Sequence, residues 1–240
     1  MKILDDLIST LSDHGEVRDI RQGVFHTAVW TRECGLAATL PKDALKQSPP
    51  MVSDPGFLME RGCLELVELA RSPHILEAAL GMAALNSLLE VDRAWCVEVN
   101  AADLILDKGR GRRVAIVGHF PFIPKVREAA RTLWVVEKNP RDGDLSEAEA
   151  DRVISKADVV GITGTALTNH TLEHLLDLCD PKAYVVVLGD TAPLSPVLFD
   201  YGVNAVSGTR VDDPALAINC VSQGANFRQI KGVSRLTLMR

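Results

Sequence analysis

What this 240-residue chain lacks narrows its chemistry before any motif is weighed. No run of about 18 apolar residues exists to span a bilayer, and the N-terminus carries Asp5 and Asp6 where a secretory signal would carry bases. The expectation is a soluble, cytoplasmic protein with no membrane partner. Aromatics make up 5% of the chain, no basic block is interleaved with them, and the formal charge is −6. No nucleic-acid partner is therefore expected. The five cysteines, at positions 34, 63, 96, 179 and 220, are scattered and form no CxxC pair. An odd, dispersed set fits reduced, mostly buried thiols in a cytoplasm and excludes a structural zinc knuckle. Absent too are the glycine fingerprint of a dinucleotide loop, the lysine of a P-loop and the GxSxG of a nucleophile elbow.

What is there reads as a globular chain, 47% hydrophobic and 24% charged. Ile3, Leu4, Leu7, Ile8 and Leu11 fall at helical spacing and predict an amphipathic opening helix. Between residues 16 and 40 the texture changes to short β-prone runs at 17–20, 24–30 and 36–40. They are separated by Gly23 and by Cys34 and Gly35, as in an antiparallel meander. Residues 47–55 read as a loop. Helices are expected over 62–70 and then to about residue 89, with Ser72 as N-cap and Pro73 at the first helical position. A short helix ends near Leu104–Leu106, followed by a basic, glycine-containing hinge over 108–113.

The second half alternates. Apolar runs at 114–118, 133–137, 157–162, 183–189 and 204–207 suit strands buried on both faces. Between them lie capped helices: Ser146 with Glu149 as a capping box, Ser195 and Pro196 answered by Gly202, and Asp213 and Pro214 answered by Gly224. The fold class predicted is α/β. An α+β N-terminal domain over 1–105 is followed by a Rossmann-like domain over 106–240, a parallel sheet with helices on both faces.

In such sheets ligands bind beyond the carboxyl ends of the strands, which selects a few loops. Glu137 ends the second strand 19 positions after Gly118, close to where Rossmann proteins place an acid on a ribose. Its other reading is a solvated strand end. The first loop, Gly118-His119-Phe120-Pro121, argues against NAD(P) or FAD, because Phe120, Phe122 and Pro121 fill the space and remove a donor. His119 is either a ligand or acid/base group or a packed loop residue. The Gly161–Ala166 stretch either offers backbone N–H groups at Gly164 and Thr165 to an anion or is a tight turn needing glycine for steric reasons. His170 and His174 match HxxEH, a zinc spacing, but read better as an exposed helical stripe. His26 in the meander and His74 near a helix start say less.

Together these residues resemble a prokaryotic family of two-domain proteins whose inferred role is heavy-metal chelation, formerly a domain of unknown function. From about Gly111 to Arg240 the resemblance rests on Val114–Pro121, Val135–Pro140, Gly161–Asn169, Leu188–Pro196 and Phe199–Val203. Over residues 1–100 it rests chiefly on Gly81–Ser87. The resemblance implies an N-terminal domain similar to the capping domain of enolase, packed on the Rossmann-like domain with a ligand cleft between them. The positions matching its cleft are Asn86, His119, Phe120, Glu137, Asn139, Thr165, Asn169 and Asp200, to which our reading of the turn adds Gly164. They are mainly oxygen donors with one histidine, which suits a hard or borderline ion. A divalent metal of unspecified identity would take His119 and Glu137.

The leading expectation is a binding or accessory protein that holds a small anionic or metal-chelating ligand in that cleft. The alternative is an enzyme using a nucleoside-containing cofactor such as S-adenosylmethionine, with Glu137 on its ribose. A third class, a structural subunit, predicts a cleft filled by side chains. Catalysis is left open. A homodimer is expected from the meander edge and an exposed Trp30.

Overall fold

The opening helix forms where its apolar spacing requires. In the computed structural model, which describes residues 1–12, 15–49 and 51–240, α1 (Lys2–Ser9) buries Ile3, Leu4 and Leu7. A three-stranded antiparallel meander follows, β1 (Asp19–Gln22), β2 (His26–Trp30) and β3 (Cys34–Ala38). Three helices come next, α2 (Pro41–Ala44), α3 (Cys63–Glu68) and α4 (Ile75–Leu88). α4 is buried nearly all round, and two glycines permit it. A Cβ on Gly81 would lie 1.8 Å from the Ala70 backbone nitrogen, and one on Gly35 would lie 2.1 Å from the Ala83 carbonyl oxygen. The turn at 69–71 and β3 both press on the α4 backbone through those gaps.

The second half contains β4 (Cys96–Val97), α5 (Ala101–Gly109), β5 (Arg113–Val117), α6 (Ile123–Ala129), β6 (Thr132–Glu137), β7 (Leu145–Ser146) and α7 (Ala150–Ile154). It continues with β8 (Val159–Thr163), α8 (Thr165–Thr168), α9 (Leu172–Asp177), β9 (Tyr184–Leu188), β10 (Ala205–Val211), α10 (Pro214–Ser222) and β11 (Val233–Met239). These strands make one eight-stranded sheet in the order β4-β11-β10-β9-β8-β5-β6-β7. From β10 to β7 every pairing is parallel, while β11 and β4 close one edge antiparallel. Alternate side chains serve two layers. Val114, Ile116, Val186 and Leu188 pack with Leu104 and Ile105 of α5 and with Ile123 and Val126 of α6. Their neighbours Ala115, Val185 and Val187 pack in the cluster that holds Val153 and Ile154 of α7 and Leu172 and Leu175 of α9. This is the α/β architecture expected.

Several boundaries differ from the sequence expectation. Cys34 and Gly35 lie inside β3 rather than before it, because the missing Gly35 side chain is what lets β3 meet α4. Helix α4 starts at Ile75, so Ser72 and Pro73 precede it, and the Ser72 hydroxyl accepts the His74 N–H at 3.1 Å. His170 has φ 60 and precedes α9, so His170 and His174 do not form a helical stripe. Trp30 is half-buried, with the Arg18 guanidinium 5.7 Å from its ring centroid. Residues 101–109 form a whole helix, so a division at 105/106 cuts α5, which packs on α6, β8 and β9. The loop expected over 47–55 includes residue 50, which lies outside the described residues.

The N-terminal layer sits on the carboxyl side of the sheet. Thr191, just after β9, accepts the Ala38 N–H on its hydroxyl at 2.9 Å. The Asn86 amide donates to the Leu36 and Thr191 carbonyls at 2.9 and 3.3 Å. His26 Nε2 meets Asp190 Oδ2 at 3.0 Å, both side chains almost fully buried.

Candidate functional site

The chain leaves β5 for β6 on one side, and the later strand β8 enters on the other, so strand order reverses between β5 and β8. Above that point opens a crevice of about 250 Å³, small against the roughly 300–1,000 Å³ usual for drug-sized ligands. Its floor is the carboxyl ends of the sheet: Val117–Phe120 after β5, Val136–Lys138 at β6, and Thr163, Thr165, Ala166 and Asn169 at β8 and α8. Leu40 and Asp43 close it from the N-terminal layer, and Glu147 and Thr171 complete the wall. Leu40 holds φ 54, a left-handed conformation unusual for a branched residue.

Of the residues singled out in the sequence, the structure gathers His119, Phe120, Glu137, Thr165 and Asn169 around this crevice. Phe120 stacks on Phe122, centroids 5.2 Å apart and rings 16° from parallel, and its edge stands 3.2 Å from where a Gly118 Cβ would be. The half-buried Glu137 accepts its neighbour's Lys138 N–H at 2.9 Å. Thr163 and Thr165 hydroxyls pair at 2.9 Å, and Asn169 Oδ1 accepts the Thr171 hydroxyl at 2.6 Å.

Four residues stand elsewhere. Gly164 spends its N–H on the Leu188 carbonyl at 2.8 Å, and its missing Cβ makes room for the Ala192 nitrogen, 2.4 Å from the vacant position. The steric account of this glycine is thus the one its geometry supplies. Asn139 accepts the Lys46 ammonium at 2.7 Å, across from α2. Asn86 lies in the seam and lines a second cavity of about 570 Å³, between the N-terminal layer and the end of β10. Asp200 is exposed on the 196–201 turn that packs against α1. His170 does not line the crevice; its Nε2 donates to the Ala70 carbonyl at 2.8 Å, while Glu173 accepts the Ile3 N–H at 2.8 Å and His174 pairs with Asp151 at 3.2 Å.

Sequence reasoning missed Asp43, Glu147 and Asp144. Asp144 Oδ2 lies 3.3 Å from His119 Nδ1. Each sits on a short turn or one-turn helix, Glu147 inside the Ser146–Glu149 capping box, which signals a helix start and not a site, and only the folded chain brings them to the strand ends. The walls carry three carboxylates, Asp43, Glu137 and Glu147, against one ammonium, Lys138. Among the described residues no cysteine lines the crevice; elsewhere burial pushes the Cys34 thiol up to about 12, with Asp19 and Glu33 adding to the shift, and burial does the same at Cys179.

Residues 100–240 match a family model described as "Putative heavy-metal chelation", and residues 4–89 match a second model with the same description. The chain belongs to this family. A relative, an uncharacterised protein of Methanocaldococcus jannaschii, is 29% identical over 180 residues, 71% of this chain and 69% of that one. Two solved structures of DUF364-family proteins of unknown function share the whole fold. The one from Desulfitobacterium hafniense is 23% identical with a TM-score of 0.84, covering 100% of this chain and 97% of its own. The one from Pyrococcus horikoshii is 22% identical with a TM-score of 0.85, covering 100% and 98%. For a heavy-metal chelation family the donor set matters. Among the described residues no three His, Cys, Asp or Glu side chains stand together to hold an ion, so the described side chains do not fit a metal caged by protein alone. Nor is any described helix long and apolar enough to cross a membrane.

Proposed function

We propose that this protein is a binding or accessory protein that holds a small metal-chelating ligand in the crevice above β5, β6 and β8, the metal arriving already complexed. The observation that carries this reading is the charge of the wall. Three carboxylates facing one ammonium repel a free anion and attract a cation, while among the described residues no three His, Cys, Asp or Glu side chains stand together to hold a bare ion. A chelate satisfies both conditions, since its metal presents local positive charge to the carboxylates even where the complex as a whole is anionic, its small molecule supplies the remaining ligands, and His119 and Glu137 take the open positions. Oxygen and imidazole donors suit a hard or borderline ion. The reading treats the chain as two units divided just before α5, with the crevice between them, working in the cytoplasm, where an odd, dispersed set of five cysteines is at home.

A thermal-shift series with Co²⁺, citrate, the Co²⁺–citrate complex and adenosine tests it. A ligand present at about 100 times its Kd stabilises by roughly 2.7 kcal/mol, about 5–11 °C for a chain of this size. The complex is expected to raise Tm more than either component. A shift with adenosine and none with the complex would overturn the reading.

A further inference from the structure

His119 follows β5 and lines the crevice, and one of its two ring nitrogens is already engaged. Its Nδ1 lies 3.3 Å from Asp144 Oδ2, and the Asp144 side chain is only 3% exposed against 26% for His119. The carboxylate is held there by its own turn: the Arg141 N–H donates to the same Oδ2 at 3.0 Å, and the Asp144 N–H donates back to the Arg141 carbonyl at 3.0 Å. Gly143, at φ +85, allows that turn to close. A carboxylate accepts hydrogen bonds and does not donate them, so the hydrogen of this contact belongs to Nδ1. In a neutral imidazole the other nitrogen, Nε2, then carries the lone pair.

We infer that Asp144 is a positioning residue that holds His119 in the Nδ1–H tautomer, so that the imidazole lone pair is what a ligand in the crevice meets. The inference rests on the reading of this crevice as the ligand site and adds to it a statement about ligand chemistry. A carbonyl or carboxylate oxygen would face a lone pair there and be repelled. A hydroxyl, an N–H or the open coordination position of a chelated metal is accepted. This is the arrangement in which a carboxylate behind an imidazole fixes its orientation and raises its basicity as a ligand. No sequence motif joins positions 119 and 144; the pairing of β5 with β6 and the return of the chain through the 141–144 turn create it.

The test is ¹⁵N NMR of the histidine rings in the whole, ligand-free chain at about pH 8.5, well above the ordinary imidazole value of about 6.5. The His119 signals are assigned by their loss in His119→Gln. Wild type is expected to show Nδ1 protonated and Nε2 bare. Asp144→Asn keeps an acceptor oxygen and should keep that pattern, whereas Asp144→Ala should shift His119 towards Nε2–H, the tautomer free histidine prefers. Signals from the other histidines report whether each variant is folded, and if Asp144→Ala is not, the wild-type and Asp144→Asn spectra decide. A wild-type ring protonated at Nε2, or a pattern unmoved in folded Asp144→Ala, would overturn the inference. Because no ligand is present, failure of Co²⁺–citrate to bind would count against the crevice reading and leave the role of Asp144 standing.

Discussion

The two ends of the parallel sheet are built on opposite principles. At the amino end Arg113 clamps Asp158: its backbone N–H and Nε reach Oδ2 at 2.9 and 3.1 Å, and Nη2 reaches Oδ1 at 2.5 Å. That side-chain contact, with the backbone bond, drives the Asp158 pKa down to about 2. At the carboxyl end Glu137 has, among the described residues, its own neighbour's N–H, and His119 has one nitrogen engaged. Both ends hold charged groups. Where partners are complete the charge serves the fold, and where they are incomplete it is available to a ligand.

That contrast can be broken by mutation. The largest effect is expected at Gly164, where the carboxyl-end loops touch backbone to backbone. The Cβ of Gly164→Ala would lie 2.4 Å from the Ala192 nitrogen, and overpacking of this kind costs about 3 kcal/mol, or roughly 6–12 °C in Tm. A melt within a degree of wild type would show the turn to be loose. At the amino end, Asp158→Asn should lower Tm at neutral pH, with a pH signature. A carboxylate whose pKa is depressed in the folded state stabilises above its unfolded value of about 3.9, and that stabilisation is lost as pH falls towards about 2. Wild type and variant should therefore converge between about pH 4 and pH 2, and a constant gap would contradict the clamp.

Much of this fold was legible because it follows local rules. The five runs read as buried strands became β5, β6, β8, β9 and β10, since continuous Val, Ile and Leu feed two core layers at once. The caps at Ser146, Ser195 and Asp213 formed as their side chains dictate. Strands without a local signal were missed: β4 and β7, at the two edges, have two residues each, too few for a period to show, and β11, between β4 and β10, gains its partners only in the folded sheet. The same limit governed the crevice. Residues at strand ends were legible from the topology rule, whereas Asp43, Asp144 and Glu147 arrive from turns whose position only tertiary structure sets.

The smallest effect sharpens the contrast from outside both ends. Replacing His170 and His174 together with alanine should leave Co²⁺–citrate binding within about twofold of wild type, because neither lines the crevice. Loss of the His170 contact with the Ala70 carbonyl should cost about 1 kcal/mol, or roughly 2–4 °C. A large loss of binding would restore HxxEH as a site.

The central claim is that the carboxyl-end crevice takes a metal as a chelate, through Glu137. Calorimetric titration of wild type and Glu137→Gln with Co²⁺, citrate and the Co²⁺–citrate complex measures this directly. Gln nearly preserves shape and removes the charge, and losing one charged partner costs about 1.5–3 kcal/mol, roughly a tenfold to hundredfold drop in affinity. The account predicts that wild type binds the complex more tightly than either component, that Glu137→Gln weakens the complex by that factor, and that the unliganded melts coincide. Equal binding of the complex by both proteins, or bare Co²⁺ bound as tightly as the complex, would contradict it.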